Sequence, residues 1–532
     1  MKLHADFKKL SRALALVTVS VLLADCRTTA PTAQEKIFET NVTNDLNVSS
    51  GEPEIAVDPK NPSHLAVIEF GIGSAGAPAA SYNLMDGDAA KTIAASAYDG
   101  RVMQSWDGGT HWTQAGPPPA SDPNSPMHGG GDPMIAIGPD GTIYAADEPP
   151  PASRAQPGST PPPLALYLSY FTFMIAASTD GGHTFGAPKQ VGTPVDRPWM
   201  KVDPSTGTVY TVSSGPLNPK TGQHNVPGPD APNDRWLVAW QPHLAGKSEP
   251  RRLGGPDFSA SGGNTITAAH GVIAATFVLG GPVPGAGFTG AAPAPRPVPA
   301  SLAGLMQDGI TSCSLQAPCL FFQTSSDQGQ HWTRHHVVVP GGFNGQHTNV
   351  SADPGRPGRY AISVLSPDRA HVLVTVTDDS GATWARPVTV PEIASGVDFK
   401  QWMEYGPTGV LGVIWRKERL DLTPSGLPGG SPIAPDTIGP AYDIYGAISC
   451  DGGATWLPPV RVNAETSPPG PVAEDDFSYL ALDAHYAHLV WGDRRMIGQI
   501  HNAPGARGGI QAYYGRVPFS TLSNGAPCGR RR

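Results

Sequence analysis

Charge is scarce in this chain. Only 15% of its 532 residues are Asp, Glu, Lys or Arg, where soluble domains average about 25%. The net charge is −9, and the one basic run is the terminal Arg530–Arg532. No cationic surface for a phosphate backbone is written here, which argues against nucleic acid as a partner. Long apolar runs are also missing. Ala13–Ala24 and Leu164–Ala177 both fall short of the roughly 20 residues that a membrane-crossing helix needs. Metal-ligand spacing is absent. His485 and His488 stand three apart in what reads as a solvated strand-to-strand turn, with no third ligand in view. No metal and no cofactor are expected.

What is abundant is backbone punctuation. The 63 Gly and 58 Pro make nearly a quarter of the chain, against about 12% on average. Such a composition favours many short strands and turns over long helices. One turn is written five times: SWDGGTHW from Ser105, STDGGHTF from Ser178, SSDQGQHW from Ser325, TDDSGATW from Thr377 and SCDGGATW from Ser449. A second unit, strand–turn–strand, occurs seven times, beginning at Glu52, Asp132, Arg197, Asn264, Asn349, Gln401 and Asp476. Its turns are rich in Asp, Pro, Gly and Asn, and its flanks in β-branched and aromatic residues, the pattern of a hairpin.

Each hairpin is followed by a third strand, the repeated turn and a fourth strand. Four antiparallel strands repeated around a ring are the blades of a β-propeller. The third repeat keeps its strands, but its turn has become LAGKSEP. The seventh has a third strand from Ile510 and no fourth. KIFETNVTN, from Lys36, lies where an orphan fourth strand belongs, and pairing it with the last blade hides two edges at once. The expectation is a single all-β propeller, of seven blades in preference to six, over 36–518, with a tail over 519–532. Leu164–Ala177 reads as a long buried third strand.

The N-terminus reads as a secretion leader over 1–26, with basic Lys2, Lys8, Lys9 and Arg12 before the apolar core, followed by a linker over 27–35. Leu23-Ala24-Asp25-Cys26 resembles a bacterial lipoprotein signal, which implies lipidation at Cys26, export to the bacterial envelope and contact with the membrane only through that anchor. The alternative is ordinary cleavage nearby, giving a periplasmic or extracellular protein. Four cysteines remain, and an even count in an exported chain suggests disulfides with three possible connectivities. Cys313 and Cys319 bracket a tight loop and are expected to pair. Cys450 in the sixth turn and Cys528 after the last strand would then pin the tail.

The repeated turn SxDxGxTW resembles the Asp-box, or BNR repeat, of sialidases and related glycoside hydrolases. Physically it is a structural device. Asp107, Asp180, Asp327, Asp379 and Asp451 can accept the turn's N–H groups, glycine supplies positive φ, and the closing aromatic can wedge between strands. Five aspartates spread round a ring cannot share one substrate. The resemblance implies the same, with an active site on the opposite face, and carries with it glycan as partner and glycoside hydrolysis as activity.

Strand order alone defines that opposite face. The long insertions, 71–100, 148–163, 215–234, 281–320 and 417–441, all fall on it, as do the starts of first strands and the ends of second strands. Asp132, Asp196, Arg197, Lys400, Asp475 and Asp476 are placed at the channel mouth by the first rule, and Glu69, Asp147, Arg416, Asp493 and Arg494 by the second. Carboxylates there can serve as general acid and base, and arginines can clamp a carboxylate. The sialidase resemblance implies a triad from Arg197, Arg416 and Arg494, an acid at Asp132 or Asp147, and a nucleophile at Tyr405 beside Glu404, or at Tyr442. The family's Phe/Tyr-Arg-Ile/Leu-Pro motif is missing, with EPEIAVDP in its place, which argues against classical exo-sialidase activity. The reading is therefore a monomeric, exported, glycan-active propeller, possible glycoside hydrolase included; the alternative is a non-catalytic envelope propeller that binds a glycan or protein.

Overall fold

The computed structural model describes residues 36–46, 49–72, 101–115, 131–148, 173–192, 198–214, 235–254, 265–280, 295–306, 310–392, 396–419, 422, 438–471, 477–496, 499, 510–523 and 528. They form seven four-stranded antiparallel sheets. Blade 1 comprises Ser49–Val57, Leu65–Ile72, Arg101–Ser105 and Thr113–Gln114. Blade 2 comprises Gly131–Ile137, Ile143–Glu148, Phe173–Ser178 and Lys189–Gly192, and blade 3 Trp199–Val202, Val209–Ser214, Arg235–Trp240 and Arg251–Arg252. Blade 4 comprises Ile266–Ala269, Val272–Leu279, Cys319–Ser325 and Thr333–Val337, and blade 5 Asn344–Ala352, Tyr360–Leu365, Val372–Thr377 and Val388–Thr389. Blade 6 comprises Val397–Tyr405, Leu411–Arg419, Ala441–Ser449 and Val460–Arg461. Each first strand contacts the first strands on either side, and the seventh contacts the first, so these strands line a closed ring.

Blade 7 is assembled from both ends of the sequence. Ser478–Leu482, Tyr486–Asp493 and Gln511–Pro518 are completed by Phe38–Asn41, which pairs antiparallel with the last of them, Phe38 opposite Arg516 and Asn41 opposite Tyr513. The expected closure and the seven-blade count both hold. Phe38–Asn41 covers the edge that Gln511–Pro518 would otherwise leave bare.

The five repeated turns share one set of bonds. The leading Ser or Thr hydroxyl donates to the aspartate and accepts the N–H of the turn's last glycine. The aspartate Oδ1 accepts the N–H four residues on at 2.9 Å in every copy. Its Oδ2 takes a side-chain donor at 2.6 Å, a threonine hydroxyl from Thr184, Thr383 and Thr455 or an imidazole Nδ1 from His111 and His331. Histidine thus fills the threonine position without changing the geometry. These bonds favour the ionised form, Thr383 first among them at Asp379, whose pKa falls to about 2.

The turns also space the blades. A Cβ on Gly109 would lie 2.1 Å from Tyr514 in the preceding blade, and one on Gly381 2.5 Å from Phe322 in its preceding blade. Both glycines have positive φ, so they combine the backbone a turn needs with the absence of a side chain that close docking needs. Trp112 meets Tyr514 edge-on at 5.2 Å, and Trp384 meets Phe322 at 5.1 Å. In blade 3, where the motif has lapsed, a short 3-10 turn Pro242–Leu244 docks on blade 2 by other means. His243 bonds Asp140 at 2.5 Å and Tyr144 Oη at 3.0 Å, and Lys189 donates to the Leu244 carbonyl.

Cys313–Cys319 and Cys450–Cys528 are disulfides. Within the fourth insertion, Arg296–Pro297 pairs with Ser312–Cys313 and a short helix spans Ala300–Ala303. Three expectations change. The second strand of blade 6 runs on through Lys417 to Arg419, so the fifth insertion starts later than 417. His488 is not a solvated turn residue: it is buried in a strand, with its ring nitrogens on Tyr514 Oη and Asp483. The described part of the apolar run 164–177 is the strand Phe173–Ser178, which is mostly buried; its earlier residues lie outside the described ones, as do Cys26 and the leader.

Candidate functional site at the channel mouth

The first strands carry polar side chains where an ordinary core would be apolar, and the ring explains why. Glu54 accepts the N–H of Ile135 in the next blade at 2.9 Å, Thr265 that of Val350 at 3.0 Å, Asn349 that of Met403 at 2.9 Å and Ser351 that of Tyr405 at 2.9 Å. Neighbouring first strands do not share ladder bonds, so side chains satisfy the backbone between them.

Blades 3 and 6, which are not neighbours, touch across the channel. Trp199 stacks on Trp402 with centroids 5.6 Å apart, and Lys201 Nζ lies 3.1 Å from Glu404. Trp402 also meets Tyr479 at 4.4 Å, and Trp199 meets Phe477 at 6.1 Å. An aromatic layer thus floors the mouth, with an ion pair beneath it. Burial pushes Glu54 up to about 8 despite nearby Lys201.

Among the first strands bulged where they approach the mouth are those of blades 1, 2 and 6. At those bulges Glu52, Asp132 and Lys400 have φ of 48°, 47° and 51°, a left-handed backbone uncommon for side chains of this size. The Glu52 carboxylate reaches the adjacent blade and accepts the Asp132 N–H at 3.3 Å. Glu69 and Asp147 occupy matching places at the ends of the second strands and are almost wholly buried. Glu69 receives the hydroxyls of Thr43 and Ser50 at 2.7 and 3.1 Å.

On the adjoining arc of blades 6 and 7, Arg416 and Arg494 both face the Tyr442 ring, at 4.7 and 5.2 Å. Arg416 is 0% exposed and donates to Ser478 Oγ at 2.8 Å and the Phe477 carbonyl at 2.7 Å. Arg494 donates to the Pro440 carbonyl at 3.3 Å, and Tyr442 Oη to that of Gly492. Arg369 pairs with Glu418 at 3.3 Å. Burial raises Glu418 against the pull of Arg369, Lys400, Arg494 and Arg416. Asp493 is held by Arg495 at 2.8 Å and by the Trp491 indole at 3.0 Å.

The structure therefore brings Glu52 to Asp132, and Arg416 and Arg494 to Tyr442. It engages Arg416 with blade 7 and Asp493 with Arg495. Arg197, Asp196, Asp475 and Asp476 lie outside the described residues. Tyr405 and Glu404 engage different partners: Tyr405 Oη donates to the Gly452 carbonyl in the repeated turn of its own blade at 2.8 Å, while Glu404 bonds Lys201 across the channel. Sequence reasoning missed the channel-crossing Lys201–Glu404 pair and the buried Glu54. The available signal was a charged residue inside an otherwise apolar innermost strand, EIAV or WMKV.

Fold and site together define an all-β, seven-bladed propeller with a floored, mixed-charge mouth on the face away from its repeated turns. No protein-family model matches the chain, and no curated protein matches it. Solved structures similar to it include a protein of unknown function from Dyadobacter fermentans, 13% identical over 90% of this chain and 99% of that one, with a TM-score of 0.41. Others are the Hadza microbial sialidase Hz136, 13% identical over 80% and 73%, TM-score 0.40, and the α-L-arabinofuranosidase of Fusarium graminearum, 13% identical over 72% and 93%, TM-score 0.41. Similarity at this level assigns no residue role and no substrate.

Proposed function

We propose that the protein is an exported glycan-active propeller that takes a sugar at the channel mouth. The observation that carries this reading is the floor: Trp199, Trp402, Phe477 and Tyr479 meet across the channel, while the mouth carries the Glu52–Asp132 contact and the Arg416 and Arg494 side chains. A sugar ring presents apolar C–H faces to aromatic rings and hydroxyls to carboxylates and guanidinium groups, and this mouth has both kinds of partner. Two disulfides accord with an oxidising compartment. In the hydrolytic form of the reading, Asp132 and Glu52 supply the two carboxyl groups that glycoside cleavage uses as acid and as base or nucleophile.

A second reading, glycan binding without turnover, is favoured by Arg416 and Asp493. Both are committed to internal partners instead of facing a ligand. Purified residues 27–532, offered a panel of fluorogenic glycosides and a glycan array, separate the two. Turnover that falls at least tenfold in Asp132→Asn and Glu52→Gln supports hydrolysis at the mouth. Array binding without turnover, weakened in the same variants, supports the binding form. Neither binding nor turnover would overturn both. Membrane fractionation of the full chain, which Cys26→Ser should shift to the soluble fraction, tests the lipid anchor.

A further inference from the structure

Outside the mouth, three ionisable side chains meet at a buried site in blade 6. Lys417 stands directly opposite Asp398 across the first two strands. Its Nζ lies 2.7 Å from Asp398 Oδ1 and 2.9 Å from Glu392 Oε2. Asp398 and Lys417 side chains are 0% and 1% exposed. The lysine stem is packed by Gly396, where a Cβ would come 3.6 Å from it and 2.6 Å from the Glu418 carbonyl. Val390, Trp415 and Tyr445 belong to the apolar cluster of this blade.

The remaining oxygens, Asp398 Oδ2 and Glu392 Oε1, are buried with no donor from any described residue. Two carboxylates placed this way repel unless one proton lies between them. Burial first, and then the Glu392 carboxyl, push Asp398 well above the usual carboxylate range, against the pull of Lys417. Asp398 therefore favours its neutral acid form beside the Lys417 ammonium. A neutral carboxylic acid is an electrophile, whereas a carboxylate is not. An amine is its nucleophile once relieved of its extra proton, and Glu392 lies in hydrogen-bond reach of that amine to receive it.

We propose that Lys417 and Asp398 become joined by an intramolecular isopeptide bond, formed by the folded chain itself with Glu392 as the proton carrier. Lys417 gives one ammonium proton to Glu392, leaving amine and two neutral carboxyl groups. Nζ attacks Asp398 Cγ. Glu392 relays a proton from the nitrogen to the departing hydroxyl, which leaves as water as the N–C bond is completed. Glu392 ends neutral, no oxidant or cofactor is consumed, and the atoms balance as one amide gained and one water lost. Water opposes amide formation in solution. Here fixed proximity replaces a bimolecular encounter, and the reaction removes a buried ion pair whose desolvation is costly.

Peptide mapping of the reduced full-length protein tests this directly. The expected result is a branched tryptic peptide, lighter by one water, linking the segment that carries Asp398 to that which carries Lys417. Glu392→Gln keeps amine and acid in place and should restore both linear peptides. Linear peptides in the wild type would overturn the proposal, as would a water loss mapped to any other pair of residues. A bond that persists in Glu392→Gln would overturn the assigned role of Glu392.

Discussion

The two faces of this propeller are built on different scales of sequence distance. On the turn face the bonds made by the motif's leading hydroxyl and by its aspartate carboxylate run between residues two to four apart, from Ser105 to Asp107 and from Asp107 to His111 for example. On the mouth face several contacts join distant segments. Arg416 reaches Phe477, Arg369 reaches Glu418, and Arg495 reaches Glu39. A local motif repeats because each copy carries its own partners. A mouth cannot repeat in that way, because each side chain there answers to a neighbour supplied by another blade.

That comparison predicts unequal costs. Arg416→Ala should be the most damaging change, since it leaves the Phe477 carbonyl and Ser478 hydroxyl without a charged donor in a fully buried site; roughly 3 kcal/mol is expected. Urea denaturation checks it, and a loss below that of a turn variant would break the contrast between faces. Ser449→Ala removes one acceptor and one donor from a single turn and should cost roughly 1–2 kcal/mol.

The same turns give a pH signature. Asp379, at about 2 in the folded chain against an ordinary 3.8, binds fewer protons folded than unfolded. Its contribution is present above pH 4 and is lost as the pH falls through 2. Melting followed from pH 5 downward should show this loss, and Asp379→Asn should flatten it. The smallest effect belongs to His331→Thr. The hydroxyl takes the place of Nδ1, as Thr383 shows, so stability should move by no more than about 0.5 kcal/mol. A larger change would mean that the imidazole contributes more than its bond to Asp327.

The same locality decided what the sequence disclosed. Ser-x-Asp-x-Gly and the seven hairpins were readable because their partners are adjacent, and the closing strand Phe38–Asn41 was readable because the last blade lacked one. The charged rim was readable as a location, since strand direction places Glu69, Asp132 and Arg494 at one end. Its pairings were not. Nothing near Asp493 in sequence distinguishes an acid facing a ligand from one that Arg495 holds, and nothing in YGPTG separates the outward Tyr405 from a nucleophile. Lys417 read as the first residue of a loop because its partner Glu392 lies well upstream, beyond any local pattern.

The seam of blade 7 also sets an order of events. Asn41 bonds Gln511 across 470 residues, so Phe38–Asn41 has no strand partner until Gln511–Pro518 emerges. At about 5–20 residues per second, that delay is on the order of half a minute to a minute and a half of synthesis. Throughout it the chain is an open arc with two live edges. The ring therefore becomes a ring only after Gln511–Pro518 has been made, late relative to the strand Phe38–Asn41 that it pairs with.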